Sequence, residues 1–551
     1  MADEVKLELP IADSKPVPGG DVEAGSESSS VDAATMTKDE AHLARMGYRQ
    51  EFFRRLGIFE SFASTFLAQN SMAGIPMLFG FAMLTGGPQA AFANWLLVGG
   101  FSVIVSLAMA EIAAAYPTAG GIYFWAYRLG GETWGPFLSW MTAWWNFAGW
   151  LCVIPGGLQG STNFLLSALE VKYPDADVLS KGWFAWLMCC GVMVLAALPN
   201  VISQRVLQLF FRFAILINST LFAVYMIWFP IRAAGNFQSR DGVFGTFFNG
   251  INLGEEIQAS DSYCWVVGIL FPAWVFYGYD TSAHLAEETK DAAIVVARGM
   301  WTSTLSAWLF SIPVSPLVLT MILFCIQDFE GIISATYHNT FAEYLVQLVG
   351  ENGAVAVLAL LYVDAVCATA ACFISAQRVT FAISRDGVLP FSRYFRQLNS
   401  RKIPVNAAML VSALSVALTT AVIGSTVALS AIIATATIAT NFSYLIPIAA
   451  RHTVGRKRFQ PHEFTLGKFS LVVGVLACTY IMFLFTVLLL PELYPVTKET
   501  LNYAPICIGI VTIVSLFGWI LPLGLGGKDW FAGPKRTIDD IDRGQSRTVW
   551  T

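Results

Sequence analysis

Gln69-Asn70-Ser71-Met72-Ala73-Gly74-Ile75-Pro76 sits in the middle of an apolar block, residues 58–84, and interrupts it. Proline lacks the N–H that closes a helical turn, and glycine adds backbone freedom. Asn70 and Ser71 can satisfy the backbone groups so released. The same device returns at mid-block in residues 263–286, as Phe271-Pro272-Ala273-Trp274-Val275-Phe276-Tyr277-Gly278-Tyr279-Asp280. A broken helix exposes N–H groups at the start of its second half, which attract a carboxylate, and carbonyls at the end of its first half, which attract cations.

Around these breaks the chain is apolar throughout. Of 551 residues, 56% are hydrophobic and 13% charged, about half the charged share of a soluble domain. Twelve blocks have room for a membrane span: 58–84, 92–116, 136–168, 183–201, 206–231, 263–286, 299–326, 353–381, 404–424, 427–450, 467–490 and 505–525. A spanning helix needs ~20 mostly apolar residues. Transmembrane barrels show short alternating segments instead. The expectation is therefore an all-α polytopic membrane protein of twelve spans, over residues 51–525. Blocks 1 and 6 each open a set of five. An odd number per set inverts the second set, and paired breaks in inverted halves point to a secondary transporter's substrate site. Blocks 11 and 12 are then two extra helices.

The basic residues orient the bundle. With both termini on one side, that side's loops and tails hold 23 Lys and Arg against 5 on the other. The positive-inside rule places both termini in the cytosol. Asn218-Ser219-Thr220 and Asn441-Phe442-Ser443 lie inside apolar blocks, so neither sequon is expected to be glycosylated. Residues 1–50 read as a disordered cytosolic tail rich in Asp, Glu, Ser and Pro. Residues 526–551 form the C-terminal tail. Nine cysteines lie nearly all in apolar blocks and read as small buried hydrophobes.

Charges inside the hydrocarbon layer are costly and face a cavity or a partner. The candidates are Glu111, Arg212, Asp280, Glu287 and Asp364. Arg212 is close enough to its helix end to snorkel. Glu111 and Glu287, near the cytosolic ends, suit an inner salt-bridge gate or plain solvation. Asp364 is deeper and faces either a polar cavity or a structural partner. A buried carboxylate's pKa rises toward physiological pH. Asp364 is therefore the first candidate for proton coupling, and Glu111 the second.

Three further stretches match a family. Met109-Ala110-Glu111-Ile112-Ala113-Ala114-Ala115-Tyr116-Pro117-Thr118-Ala119-Gly120-Gly121-Ile122-Tyr123-Phe124-Trp125 closely resembles a signature of amino acid permeases in the amino acid–polyamine–organocation superfamily. Gly278-Tyr279-Asp280-Thr281-Ser282-Ala283-His284-Leu285-Ala286-Glu287-Glu288-Thr289 is similar to a segment of its fungal amino acid/choline permease branch. Phe381-Ala382-Ile383-Ser384-Arg385-Asp386-Gly387-Val388-Leu389-Pro390 resembles that family's end of span 8. The likeness covers residues 50–525. It implies a 5+5 inverted-repeat core plus two helices, and proton-driven or facilitated uptake of a small amine-bearing solute. Amino acids, γ-aminobutyrate, polyamines and choline belong to that class. One departure stands out: Ser71-Met72-Ala73-Gly74 replaces the glycine-rich break of many amino acid permeases, and Asn70-Ser71 resembles the choline-type members.

The substrate site is thus expected on Asn70, Ser71, Met72, Ala73, Gly74 and Ile75, and on Trp274, Phe276, Tyr277, Gly278, Tyr279 and Asp280. A carboxylate would meet the N–H groups around Ala73 and Gly74. An amine would sit near the aromatic rings of block 6, with Asp280 pairing with it or orienting the broken helix. Expected partners are the substrate, protons and the lipid bilayer. No nucleic acid, metal or cofactor is expected, and the five histidines show no metal-ligand spacing. Enzymatic and ATP-driven activity and a channel fit the sequence poorly. A non-transporting nutrient receptor on a transporter fold is the alternative. The reading favours the plasma membrane over the vacuolar membrane.

Overall fold

The computed structural model describes residues 37–254, 257–309, 318–424 and 426–535. These are mostly helical, and β pairing among them is confined to isolated bridges. Among the described residues, six helices are long and apolar enough to cross a membrane: Gly87–Ala115, Gly182–Ile202, Gln204–Arg232, Phe341–Arg385, Ala431–His452 and Gly467–Val487. Asp261–Val275, Val405–Thr419 and Ala504–Ile520 are shorter apolar helices. Block 3 lies within a longer helix, Gly121–Lys172, kinked where Gly131 takes φ 67°.

That helix is the centre of the bundle. Phe341–Arg385 and Thr426–His452 both pack along it, while Ala292–Leu309 packs against Gly87–Ala115 and Ile58–Gln69. Small residues permit this closeness. A Cβ on Gly149 would stand 2.7 Å from the Thr440 backbone nitrogen, so only glycine lets those two helices touch there.

Both expected breaks are present. Block 1 divides into Ile58–Gln69, Ser71–Met77 and Phe79–Leu84, with Asn70 at φ 28° between the first two. Block 6 divides into Asp261–Val267, Leu270–Val275 and Thr281–His284, with Gly278 at φ 73° in the gap. Positive φ carries no steric penalty for glycine.

One boundary differs from the expectation. The expected disordered tail extends to residue 50, but from Thr37 on the chain is folded. Lys38–Arg45 is a helix with a complete capping box between Thr37 and Glu40, and Leu43 and Tyr48 are buried. Composition averaged over the tail hid these apolar residues. The remainder of the expected tail, residues 1–36, lies outside the described residues.

Candidate functional site

The first break is braced by Asn218 and Tyr225 from Gln204–Arg232 and by Asn339 from the loop before Phe341–Arg385. Asn70 caps Ser71–Met77: its Oδ1 accepts from the Ala73 N–H at 3.3 Å, and its carbonyl accepts from the Gly74 N–H at 2.9 Å. Both N–H groups proposed for a substrate carboxylate are therefore already bonded, which argues against that expectation. Pro76 withholds the N–H that would reach Met72, and the Tyr225 hydroxyl donates to the Met72 carbonyl at 2.8 Å instead. Asn339 donates to the carbonyls of Pro76 and Met77. Asn70 thus satisfies the N–H side of the break, as expected of it, while the break's carbonyls are met by Tyr225 and Asn339 and not by Ser71. Ser71 Oγ is buried without a hydrogen-bond partner among the described residues, and Met72, Ala73 and Ile75 are packed in the core.

Asp364 lies beside this break, fully buried. Asn218 Nδ2 donates to Asp364 Oδ1 at 3.4 Å and to Asn70 Oδ1 at 3.2 Å. Asn70 in turn donates to the Asp364 carbonyl at 3.4 Å. Asp364 Oδ2 has no hydrogen-bond partner among the described residues.

The second break is braced by its own carboxylate, although Ser282 Oγ and His284 Nδ1 have no hydrogen-bond partner among the described residues. Asp280 Oδ1 accepts from the Tyr444 hydroxyl at 2.7 Å. Its Oδ2 accepts from Trp150 Nε1 at 3.0 Å and Asn146 Nδ2 at 3.2 Å, and lies 2.7 Å from His284 Nε2. Tyr279 donates to the Phe276 carbonyl at 2.7 Å, and its oxygen lies 3.1 Å from Ser102 Oγ, which can donate to it. The Phe276 ring packs on Trp95, with centroids 4.9 Å apart. Phe276, Tyr279 and Asp280 are spent on the protein itself, and a substrate amine finds no free Asp280 oxygen.

Between the breaks lies a small cavity of about 40 Å³. Ala68, Gln69, Asn70, Gly74 and Met77 form its block 1 wall, and Trp274, Val275 and Tyr277 its block 6 wall. Val153 and Gly157 close it from block 3, and Ala365, Ala368, Thr369 and Cys372 from block 8. Every lining residue is uncharged. The Trp274 and Tyr277 rings lie 5.3 Å apart. Gln69 Oε1 is buried with no hydrogen-bond partner among the described residues, although its Nε2 donates to Thr304 at 3.0 Å. The cavity therefore offers acceptors and aromatic faces, with no charge of its own. Ligand pockets are typically ~300–1,000 Å³, so the walls must part to admit a solute.

The other two candidate carboxylates lie away from this cavity. Glu111 accepts from Thr465, Ser470 and the Leu466 N–H, tying the loop before Ser470–Val487 to the end of Gly87–Ala115. Glu287 is fully buried in a bidentate pair with Arg385, at 3.2 and 3.3 Å, and accepts from the Ala119 N–H at 3.0 Å. Glu288 pairs with Arg378 at 2.6 Å. Two segments distant in sequence meet here: Tyr48 donates to Asp386 Oδ2 at 3.3 Å, and the Lys535 N–H to Asp386 Oδ1 at 3.1 Å. The segment around Arg54 lies across the same ion pairs, with Arg54 donating to the carbonyls of Ala286 and Thr289.

Residues 59–513 match the family described as amino acid permease. The chain belongs to that family. Within the amino acid–polyamine–organocation superfamily it is 31% identical to amino-acid permease BAT1 of Arabidopsis thaliana, over 91% of this chain and 97% of the relative. It is 30% identical to the BAT1 homolog of Oryza sativa subsp. japonica, over 95% and 99%. It is also 28% identical to thiamine transporter thi9 of Schizosaccharomyces pombe, over 92% and 89%. These relatives are named as permeases and a transporter, so this family member is read as a membrane transport protein of multi-pass type. Sequence reading did not single out Asn218, Tyr225, Gly157 or the Ala365–Ala368–Thr369–Cys372 stripe. The stripe's helical spacing of small residues beside Asp364 was the available signal.

Proposed function

We propose that this permease carries a small amine-bearing solute, an amino acid or a relative such as γ-aminobutyrate, a polyamine or choline, by alternating access. The observation that carries this reading is the convergence of the two breaks on one uncharged, aromatic-walled cavity. The solute's ammonium group lies against Trp274 and Tyr277 and donates to Gln69 Oε1. A cation over an aromatic face gains ~0.5–2 kcal/mol. Recognition is by the amine, since the Ala73 and Gly74 N–H groups are taken. The names of the relatives, amino-acid permease and thiamine transporter, both describe proteins that handle nitrogen-bearing solutes.

The proposed frame is twelve spans, in two inverted sets of five plus two helices, at the plasma membrane with both termini cytosolic. Protons drive the cycle through Asp364, whose open Oδ2 accepts the proton. Asn218 transmits the change to the Asn70 cap, which borders the cavity. The Glu287–Arg385 and Glu288–Arg378 pairs form the inner gate.

The test is uptake of labelled γ-aminobutyrate, choline and arginine by cells lacking their own permeases, each competed by unlabelled rivals. Saturable, competed accumulation that collapses with the proton gradient is expected. Failure of every amine and amino acid to compete would overturn the reading. Signalling without uptake would turn it into a receptor.

A further inference from the structure

The face of Phe341–Arg385 opposite the cavity borders a second concavity, on the outside of the bundle. It measures about 310 Å³ and lies between Gly182–Ile202, Gln204–Arg232 and Phe341–Arg385. Its walls are almost wholly apolar, with Leu195, Leu198, Ile202, Phe210, Phe213 and Val366 among them. Leu195 is 46% exposed, Leu198 43% and Phe213 47%. The groove runs about 10 Å along the helices, from the Ile202–Val206 turn to Leu195 and Phe213, at 1.5 Å per residue.

Cations gather beside that turn. Arg401 is exposed and donates to the Ile202 carbonyl at 2.6 Å, the last residue of its helix. Arg205, adjacent to the groove residue Val206, is exposed as well. Arg212 stands about 12 Å into the helix that starts at Gln204, exposed on the stripe shared by Arg205, Leu209 and Leu216. None of the three arginines has a carboxylate within ion-pair distance among the described residues. An unpaired guanidinium on the lipid side of a span is costly and calls for a partner. Guanidinium groups bind phosphate in a two-pronged fashion.

We propose that this groove is a binding site for an anionic phospholipid of the leaflet on the side of the chain termini. One acyl chain lies along Leu198, Phe210 and Phe213. The headgroup phosphate rests on Arg205 and Arg401, and Arg212 reaches down its helix to the same headgroup. Charge complementarity selects this occupant, because a sterol or a zwitterionic lipid leaves three like charges uncompensated. The site is independent of which solute the permease carries.

The test is native mass spectrometry of the full-length protein titrated with dioleoylphosphatidylserine, dioleoylphosphatidylcholine or ergosterol. Wild-type protein retains phosphatidylserine in preference to phosphatidylcholine. The double variant R205Q/R401Q loses that preference about tenfold with an unchanged melting temperature. Leu198→Trp, which fills the groove without touching charge, lowers retention of phosphatidylserine. Equal retention of both phospholipids by the wild type, an unchanged preference in R205Q/R401Q, or displacement of phosphatidylserine by ergosterol would overturn the assignment.

Discussion

The breaks in blocks 1 and 6 look alike in sequence and are opposites in structure. At Asn70, buried polar atoms remain open: Gln69 Oε1, Ser71 Oγ and Asp364 Oδ2 have no hydrogen-bond partner among the described residues. At Gly278–Asp280, both carboxylate oxygens of Asp280 are bonded, by residues from blocks 3 and 10. A buried polar group left unpaired costs ~1–3 kcal/mol. The first break therefore holds unspent bonding capacity that a solute or proton can use. The second has spent its Asp280 carboxylate on rigidity; its open atoms, Ser282 Oγ and His284 Nδ1, belong to residues outside the cavity lining, and it offers the cavity its aromatic side. A broken helix marks a candidate site; a polar atom left over on a cavity-lining residue, here Gln69 Oε1, shows which break meets the ligand.

The harshest way to break this comparison is Asp280→Ala. It leaves Trp150 Nε1 and the Tyr444 hydroxyl without an acceptor, each at ~1–3 kcal/mol, and removes one of the two acceptors of Asn146 Nδ2. Loss of monodisperse protein in fluorescence-detected size exclusion is expected. Wild-type yield and melting would mean that the second break is not an anchor. Asp364→Asn sits at the first break and should act differently. The protein folds normally, and proton-driven accumulation falls at least tenfold while exchange of solute down its own gradient persists. Full accumulation would remove Asp364 from the coupling step.

Trp274→Ala sharpens the same contrast at the cavity wall. A lost cation–aromatic contact of ~1.4 kcal/mol corresponds to a tenfold rise in KM, alongside the lower melting temperature that follows from removing a buried indole. An unchanged KM would place the amine elsewhere. The smallest effect belongs to the folded end at Lys38–Arg45, far from both breaks. His42 stacks on His462 with ring centroids 4.6 Å apart. Burial first, and His462 second, hold its pKa below the usual imidazole range, with Arg45 and Asp39 acting in opposite senses. Because the folded value is lowered, this contact contributes fully above pH ~6.5 and weakens as pH falls through the lowered value. Faster amide exchange in residues 38–45 at pH 5 than at pH 7.5 is expected, and a His42→Gln variant should lose that difference.

Much of the fold was legible, because apolar blocks, Pro76, Pro272 and Gly278 each act through local chemistry. The residues that line or brace the cavity divide along the same line. Trp274, Tyr277, Asn70 and Gly74 were visible since they sit at the breaks. Asn218 read only as an unused sequon, and Tyr225 as one tyrosine among 17. Their roles depend on contacts across 146 and 153 positions of sequence, which no local pattern encodes. Asp280 and Glu111 were visible as intramembrane charges, but only their partners distinguish an anchor from a ligand-facing group. Glu287 was a gate candidate whose partner, Arg385, lies in another motif 98 positions on.

The central claim is that solute binds between the breaks. Cys372 lines that cavity, and Cys478 lies half-buried on block 11 as an internal reference. The decisive measurement is the rate of maleimide modification at each cysteine, read by peptide mass spectrometry, with and without a saturating concentration of the best-accumulated amine. A solute in this cavity slows modification of Cys372 several-fold and leaves Cys478 unchanged. Equal rates at Cys372 with and without that amine would contradict the claim.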